Sequence, residues 1–370
     1  MPSLGSALPR RALRDIRTKH SEICREGAGS GAVGAPTNGA LLTDPGSCIL
    51  LGMRRVLVTG GAGCIGSDLA QVLIGRGHHV VALDNLSSGK IEHLEPFLSH
   101  PDFQFVEGDL LDPSTWKDAF RDVDMVYHFA ANPDVKFVEG EATDKDLQQN
   151  VIATYNVLEA ARVHGVRRFA FSSTSAVYGI LPIQPIPENS AGRPISLYGA
   201  TKLGCEAMIG AFSNLFGMEC WIFRFANIVG AKVRKKGRTV ISDFIYKLKG
   251  DPHRLEILGD GRQAKSYLLS SECIDSILYV VEHARCPLNI YNLGSNDSLS
   301  VKRIADMVVE AMGLSNVEYC YSGGEGGWPG DVPRFTLDVS ALNQLGWKAR
   351  YTSEDAVAIA IRHVVDACRP

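Results

Sequence analysis

Tyr198 and Lys202 stand four residues apart in the stretch Ser-Leu-Tyr-Gly-Ala-Thr-Lys, residues 196–202. On a helix, positions i and i+4 share one face. An ammonium beside a phenol favours the phenolate and lowers a pKa that is ordinarily about 10. The pair can therefore make a phenol usable as a base near neutral pH. A Tyr-x-x-x-Lys alone is a weak signal, but a glycine-rich strand–turn–helix pattern lies upstream, at Val56 to Gly66. Together the two suit redox chemistry on an alcohol, with a nicotinamide as hydride carrier.

The run Thr59-Gly60-Gly61-Ala62-Gly63-Cys64-Ile65-Gly66 spaces its glycines as G-x-x-G-x-x-G. Gly60 permits the tight turn after a strand. Gly63 lets a pyrophosphate approach the backbone at the positive end of a helix. Gly66 is expected to let that helix pack close to the sheet. Cys64 and Ile65 lie in the turn and are counted with the cofactor site, Cys64 as a small packing residue. Asp84, followed by Asn85, ends the second strand pattern. An acid there accepts hydrogen bonds from the adenosine ribose hydroxyls and repels a 2′-phosphate, which favours NAD over NADP. Asp109, followed by Leu110, fits either an adenine-edge contact or a turn residue. Ala130 and Ala131 follow the fourth strand pattern, where small side chains leave room for a cofactor. A fifth strand ends in Phe171-Ser172-Ser173-Thr174-Ser175-Ala176-Val177-Tyr178-Gly179. Hydroxyls at the carboxyl end of a parallel strand lie where ligands bind, and Thr174 can bridge a substrate hydroxyl and Tyr198. Tyr178 reads as support for its loop, and His128, on an apolar strand, as a core histidine.

Positioning these groups requires strands that alternate with helices. Apolar runs at 56–59, 79–83, 103–106, 125–129, 168–172 and 219–225 read as strands. Helical patterns read at 64–77, 113–120, 143–164 and 196–216. That order implies an α/β fold of the Rossmann type, a doubly wound parallel sheet covered on both faces. From Asn227 onward the pattern breaks up, with a basic loop at 232–238, a Gly-Asp-Gly turn at 259–261 and a Gly-rich segment at 323–330. The expected organisation is an NAD-binding domain over 54–226, to which later segments return, and a smaller substrate-binding lobe over 227–370. Residues 1–53 are rich in Gly, Ala, Ser, Pro and Arg without sustained periodicity. They read as a disordered extension or a misassigned start.

Composition narrows the class. The 370 residues are 45 % hydrophobic and 21 % charged with a net charge of −3, which gives no general reason to expect nucleic-acid binding. No apolar run reaches the roughly 18 residues of a membrane span. Nine scattered cysteines without C-x-x-C spacing read as reduced, mostly buried thiols in a cytoplasmic protein, with no metal site.

The glycine turn, the Ser/Thr strand end, Tyr198 with Lys202, and Arg224-Phe225-Ala226-Asn227 together resemble the extended short-chain dehydrogenase/reductase family over about residues 54–367. Within it the chain is similar to the NAD-dependent nucleotide-sugar epimerases. Further stretches carry the likeness: Asn132-Pro133-Asp134-Val135, Asn150-Val151, Tyr155 to Ala160, Leu258 to Gly261 and Trp328 to Pro333. The resemblance implies Tyr198 as acid/base, Lys202 tuning it and holding the nicotinamide ribose, and Thr174 as the Ser/Thr partner. It implies Asn227 on the phosphates of a UDP-linked sugar, and a homodimer built on the 143–164 and 196–216 helices. Val151, Tyr155, Leu158, Met208 and Phe212 are the expected dimer stripe. Two departures matter. Dehydratases of the family usually carry Asp-Glu after the Thr, and decarboxylases Ser-Glu; here Ser175-Ala176 follows, which favours epimerisation. Where the family often supplies arginines to the diphosphate, this chain has Lys265 after the Gly-Asp-Gly turn, and Gly326 and Gly327 in the Gly-rich segment. Arg334 or the basic loop is expected to compensate, the loop being equally readable as solvated surface.

Overall fold

Val56 to Val58 are wholly buried, because the strand they form lies inside a sheet covered on both faces. The computed structural model describes residues 54–367 apart from 133, 137–139, 141, 231 and 233–238. The strands are β1 (Arg55–Thr59), β2 (His79–Asp84), β3 (Phe103–Glu107), β4 (Met125–His128), β5 (Arg168–Thr174) and β6 (Glu219–Phe225). A seventh, Leu288–Leu293, comes from the later part of the chain and pairs with β6. The order from that strand is β6, β5, β4, β1, β2, β3, all parallel. This is the doubly wound Rossmann-like arrangement.

Alternation along β1 sends Val56 and Val58 to one face and Leu57 to the other. The first face packs on α1 (Cys64–Gly75), through Leu69 and Leu73, and on the Ser270–His283 helix, through Ile277. The second packs on α2 (Ala153–Val163), through Val157 and Leu158, and on α3 (Leu197–Phe216), through Ile209 and Phe212. The Ser196 side chain caps α3 by accepting from the Gly199 N–H, and Gly217, at φ +66°, ends it. A third cluster, with Phe244, Leu255, Ile304 and Ile361, lies wholly in the chain after residue 226. It joins the Val240–Gly250, Val301–Ala311 and Ser353–Ala367 helices.

Two local expectations change. The 113–120 pattern forms two 3-10 turns, Pro113–Thr115 and Lys117–Phe120. They are parted by Trp116, whose φ of −142° is not helical and whose indole N–H donates to the Asp109 carbonyl at 2.7 Å. The 143–164 pattern is π-helical over Leu147–Ile152 before it becomes α2. Residues 1–53 lie outside the described residues, as do Pro133, Arg234, Lys235, Lys236 and Arg238.

Candidate active site

The carboxyl ends of the central strands open into a cavity of about 990 Å³. That is the upper end of the range for small-molecule sites. Its wall includes Gly60, Gly63, Cys64, Ile65 and Gly66 from the turn, and Asp84, Asn85, Asp109 and Leu110 from the ends of β2 and β3. It also includes Ala130, Ala131, Thr174, Tyr198, Lys202, Asn227 and Lys265. Arg334 is not on that wall; it is exposed on the two-residue strand Arg334–Phe335.

The turn after β1 is built for backbone proximity. Gly60 has φ +68°, and a Cβ on it would sit 2.7 Å from the Ala130 nitrogen. A Cβ on Gly66 would lie 2.2 Å from the Gly60 carbonyl oxygen. The close approach of Gly66 is thus to the turn itself rather than to the sheet. Asp84 accepts from the Ala62 N–H at 3.0 Å and the Leu86 N–H at 2.8 Å. Burial raises its pKa and outweighs those two donors, which pull it down. A carboxylate has about four acceptor sites, so two backbone donors leave capacity for ligand hydroxyls. Asn85 Nδ2 donates to Asp109 at 3.3 Å, tying the ends of β2 and β3 together. The Leu111 N–H reaches the same Asp109 carboxylate at 2.9 Å.

Lys202 is almost wholly buried. Its Nζ donates to the Ser172 carbonyl at 2.7 Å and lies 4.4 Å from the centre of the Phe171 ring. Burial pushes its pKa down to about 8. Thr174 Oγ1 accepts from the Ala176 N–H at 3.2 Å, so the hydroxyl caps the following turn and keeps its own proton to donate. His128 is buried between Thr59 at 2.7 Å and Thr154 at 2.9 Å, and burial holds its pKa down to about 3. It is a neutral core histidine. Tyr178 donates to Asn292 Oδ1 at 2.7 Å, and burial raises it to about 12.

Behind the site lies a network the sequence did not announce. Arg224 forms a two-pronged ion pair with Glu206, 2.6 Å at its shortest, with both side chains buried. Glu206 also accepts from Ser173, the neighbour of Thr174. Arg224 Nη1 reaches the Tyr178 hydroxyl at 2.9 Å and the Glu188 carbonyl at 2.7 Å. The one available signal was the spacing of Glu206, four residues after Lys202 and so on its face of α3. A second network centres on Asn150 in the π-helical segment. Its Oδ1 accepts from the Asn132 N–H at 2.9 Å, and its Nδ2 donates to Thr201 at 3.0 Å and Asp146 at 3.2 Å. π-Turns concentrate at functional sites, and this one links the loop after β4 to the turn of α3 between Tyr198 and Lys202.

The cation expectations fare unevenly. Lys265 is on the wall but bound to Asp331 at 2.5 Å. Lys232 pairs with Asp68 of α1 at 2.7 Å, and the Cys64 thiol lies 3.9 Å from its carbonyl. The Asn227 N–H donates to the Ser266 carbonyl at 3.1 Å, and Asn227 lies opposite the buried Tyr267 in a short parallel ladder.

The model of the NAD dependent epimerase/dehydratase family matches residues 56–294. The chain belongs to that family. A solved UDP-galactose 4-epimerase is 38 % identical, with a TM-score of 0.76, over 85 % of this chain and 100 % of its own. A UDP-glucose 4-epimerase of Corynebacterium glutamicum is 31 % identical over 271 residues, 70 % of this chain and 80 % of that one. A UDP-glucuronic acid 4-epimerase of Bacillus cereus, crystallised with UDP-glucuronic acid and NAD, is 26 % identical with a TM-score of 0.76, over 85 % and 99 %. The family is one of nucleotide-sugar enzymes that use NAD. The turn fits that cofactor, since a side chain at Gly60 or Gly66 would fill the backbone cradle at the start of α1. Among the described residues no helix is long and apolar enough to cross a membrane. Cys205, Cys220 and Cys273 are buried.

Proposed function

We propose that the protein interconverts C4 epimers of a UDP-hexose, of the UDP-glucose/UDP-galactose type. The observation that carries this is the meeting of Tyr198, Lys202 and Thr174 on the wall of the cavity that also holds the glycine turn, with Ala176 beside them. Ala176 supplies no carboxyl group for an acid/base step at C5 or C6, which dehydration and decarboxylation need. Gly60, Gly63, Gly66 and Asp84 would hold NAD. When bound, that group would supply the hydride acceptor and donor for oxidation and reduction at the sugar C4.

The side chains then have distinct tasks. Tyr198 accepts the proton of the C4 hydroxyl and later gives it back. Lys202 favours the phenolate and would hold the nicotinamide ribose. Thr174 donates to the same substrate oxygen from a hydroxyl fixed by its cap on the Ala176 N–H. Asn227 and Lys265 face the nucleotide diphosphate. Between the two transfers the 4-keto sugar turns about its bond to the diphosphate.

Incubation with UDP-galactose is expected to yield UDP-glucose with no added reductant and no net absorbance at the NADH band. Carbon dioxide from UDP-glucuronate, or a 4-keto-6-deoxy product from UDP-glucose, would replace this reading with decarboxylation or dehydration. A C4-epimerised hexuronate or N-acetylhexosamine would keep the chemistry and change the sugar.

We further infer a homodimer packed through α2 and α3. The expected stripe needs correction. Leu158 and Phe212 are buried, and Val151 and Met208 pack against the same sheet-facing cluster, because that face of each helix meets the sheet. Of the stripe only Tyr155 is exposed. The outward apolar residues include Leu147, Ile152, Tyr155, Val163, Leu197, Leu215 and Phe216. Light scattering at micromolar concentration should return twice the chain mass, and substituting Leu215 and Val163 by Glu should lower it toward the chain mass.

A further inference from the structure

We propose that Trp328 is a substrate-binding residue whose indole N–H donates to the diphosphate of the nucleotide sugar. Trp328 lies in the Gly-rich segment and lines the same cavity as Tyr198 and Lys202. Its Nε1 is buried and has no hydrogen-bond partner among the described residues. A buried donor left unpaired costs about 1–3 kcal/mol, so the group is one that a ligand oxygen would complete. The indole nitrogen is a donor only, and it requires an acceptor.

What surrounds the ring selects the acceptor. Lys265 Nζ lies 5.1 Å from the ring centre and 2.5 Å from Asp331 Oδ1. The other oxygen of Asp331 accepts from the Gly327 N–H at 2.9 Å. Asp331 thus fixes both the ammonium and the loop that carries the indole. It also offsets much of the Lys265 charge, so this part of the wall offers directed donors more than net charge. A lone indole N–H requires an acceptor, and the oxygens of an ionised phosphate are acceptors only.

A second orphan points the same way. Gln263 is buried, lines the cavity, and donates through Nε2 to the Leu258 carbonyl at 2.8 Å. Its Oε1 has no partner among the described residues. An unpaired acceptor two residues before Lys265, together with the unpaired Trp328 donor, matches a nucleotide, whose ribose hydroxyls donate and whose phosphates accept. Trp328 and Gln263 therefore take part of the task expected of arginine at this diphosphate.

This inference rests on the nucleotide-sugar reading, and the test separates the two. NAD-loaded wild type and Trp328→Phe are titrated calorimetrically with uridine, UDP and UDP-glucose. Phe keeps the ring over Lys265 and removes only the N–H. The variant should bind UDP and UDP-glucose about tenfold more weakly, as for one hydrogen bond to a charged group, and uridine unchanged. Its NAD content and thermal midpoint should match wild type, since the free protein loses no bond. Trp328→Arg should restore UDP affinity and serves as the second variant if Phe folds poorly. UDP binding equal in wild type and Trp328→Phe, equal loss for uridine, or a loss confined to UDP-glucose would overturn the proposal and leave the epimerase reading standing. If wild type binds neither UDP nor UDP-glucose, both fall.

Discussion

Replacing Tyr198 by Phe is expected to lower turnover of UDP-galactose by about 10²–10⁴-fold, the usual contribution of a positioned proton-transfer group. The phenol shares the cavity wall with Thr174 and the buried Lys202. Its ring remains in the variant, so α3 should fold and the glycine turn should hold NAD as before. Lys202 needs its own charge to favour the phenolate, and burial already brings that group down to about 8. The electrostatic help is therefore present below pH 8 and fades above it. The measurement is the initial rate of UDP-glucose formation by chromatography, alongside NAD content and the thermal midpoint. A variant that keeps more than about a tenth of the wild-type rate would remove Tyr198 from the proton shuttle. One that loses NAD or stability would show a structural role instead.

The second large effect concerns stability. Glu206→Ala is expected to destabilise the fold by about 3–5 kcal/mol, because it leaves the Arg224 guanidinium buried without its carboxylate. The pair is 2.6 Å apart and both side chains are more than nine-tenths shielded. Ser173 loses its acceptor in the same step. For a body of this size the thermal midpoint should fall on the order of 10 °C. Glu206→Gln, which keeps the shape and one acceptor, should lose less. The double change Glu206→Leu with Arg224→Met should recover a good part of the loss, since replacing both members of a buried ion pair with apolar groups is often close to neutral. Scanning calorimetry of the four proteins decides it. A single-variant shift under about 2 °C would show that solvent reaches Arg224 and that the pair does not hold the end of β5.

The fold and the cofactor turn were legible because both are written in short-range pattern. Glycine spacing declares the turn, and alternating strand and helix periods declare the sheet. Tyr198 and Lys202 were legible for the same reason, four residues apart on one helix. What escaped depends on distance along the chain. Lys265 meets Asp331 across 66 residues, and no local pattern pairs them or places Trp328 beside them. Arg334 looked available as a cation, but the short strand that holds it leaves it exposed, off the cavity wall. The helix faces were ambiguous because α2 and α3 carry apolar residues on more than one side. Leu158 and Phe212 could be assigned inward only once the sheet was there to cover them. Trp116 shows a competing tertiary bond at work, its indole drawn to the Asp109 carbonyl and the expected helix broken into two turns.

The strand Leu288–Leu293 has a consequence for how the chain is made. Until residues 226–287 have left the ribosome, β6 has no neighbour on its outer side. At ordinary elongation rates that interval is roughly 3–12 s. For that time a seven-residue strand with six buried positions presents unpaired amides and carbonyls, a template for pairing with another nascent chain. The late strand also brings Asn292, which accepts from Tyr178 and donates to the carbonyls of Ile186 and Asp338. The loop beyond Thr174 thus takes its final shape only when the last third of the polypeptide arrives. Order of synthesis leaves the Thr174 end of β5 waiting on the last strand of the sheet.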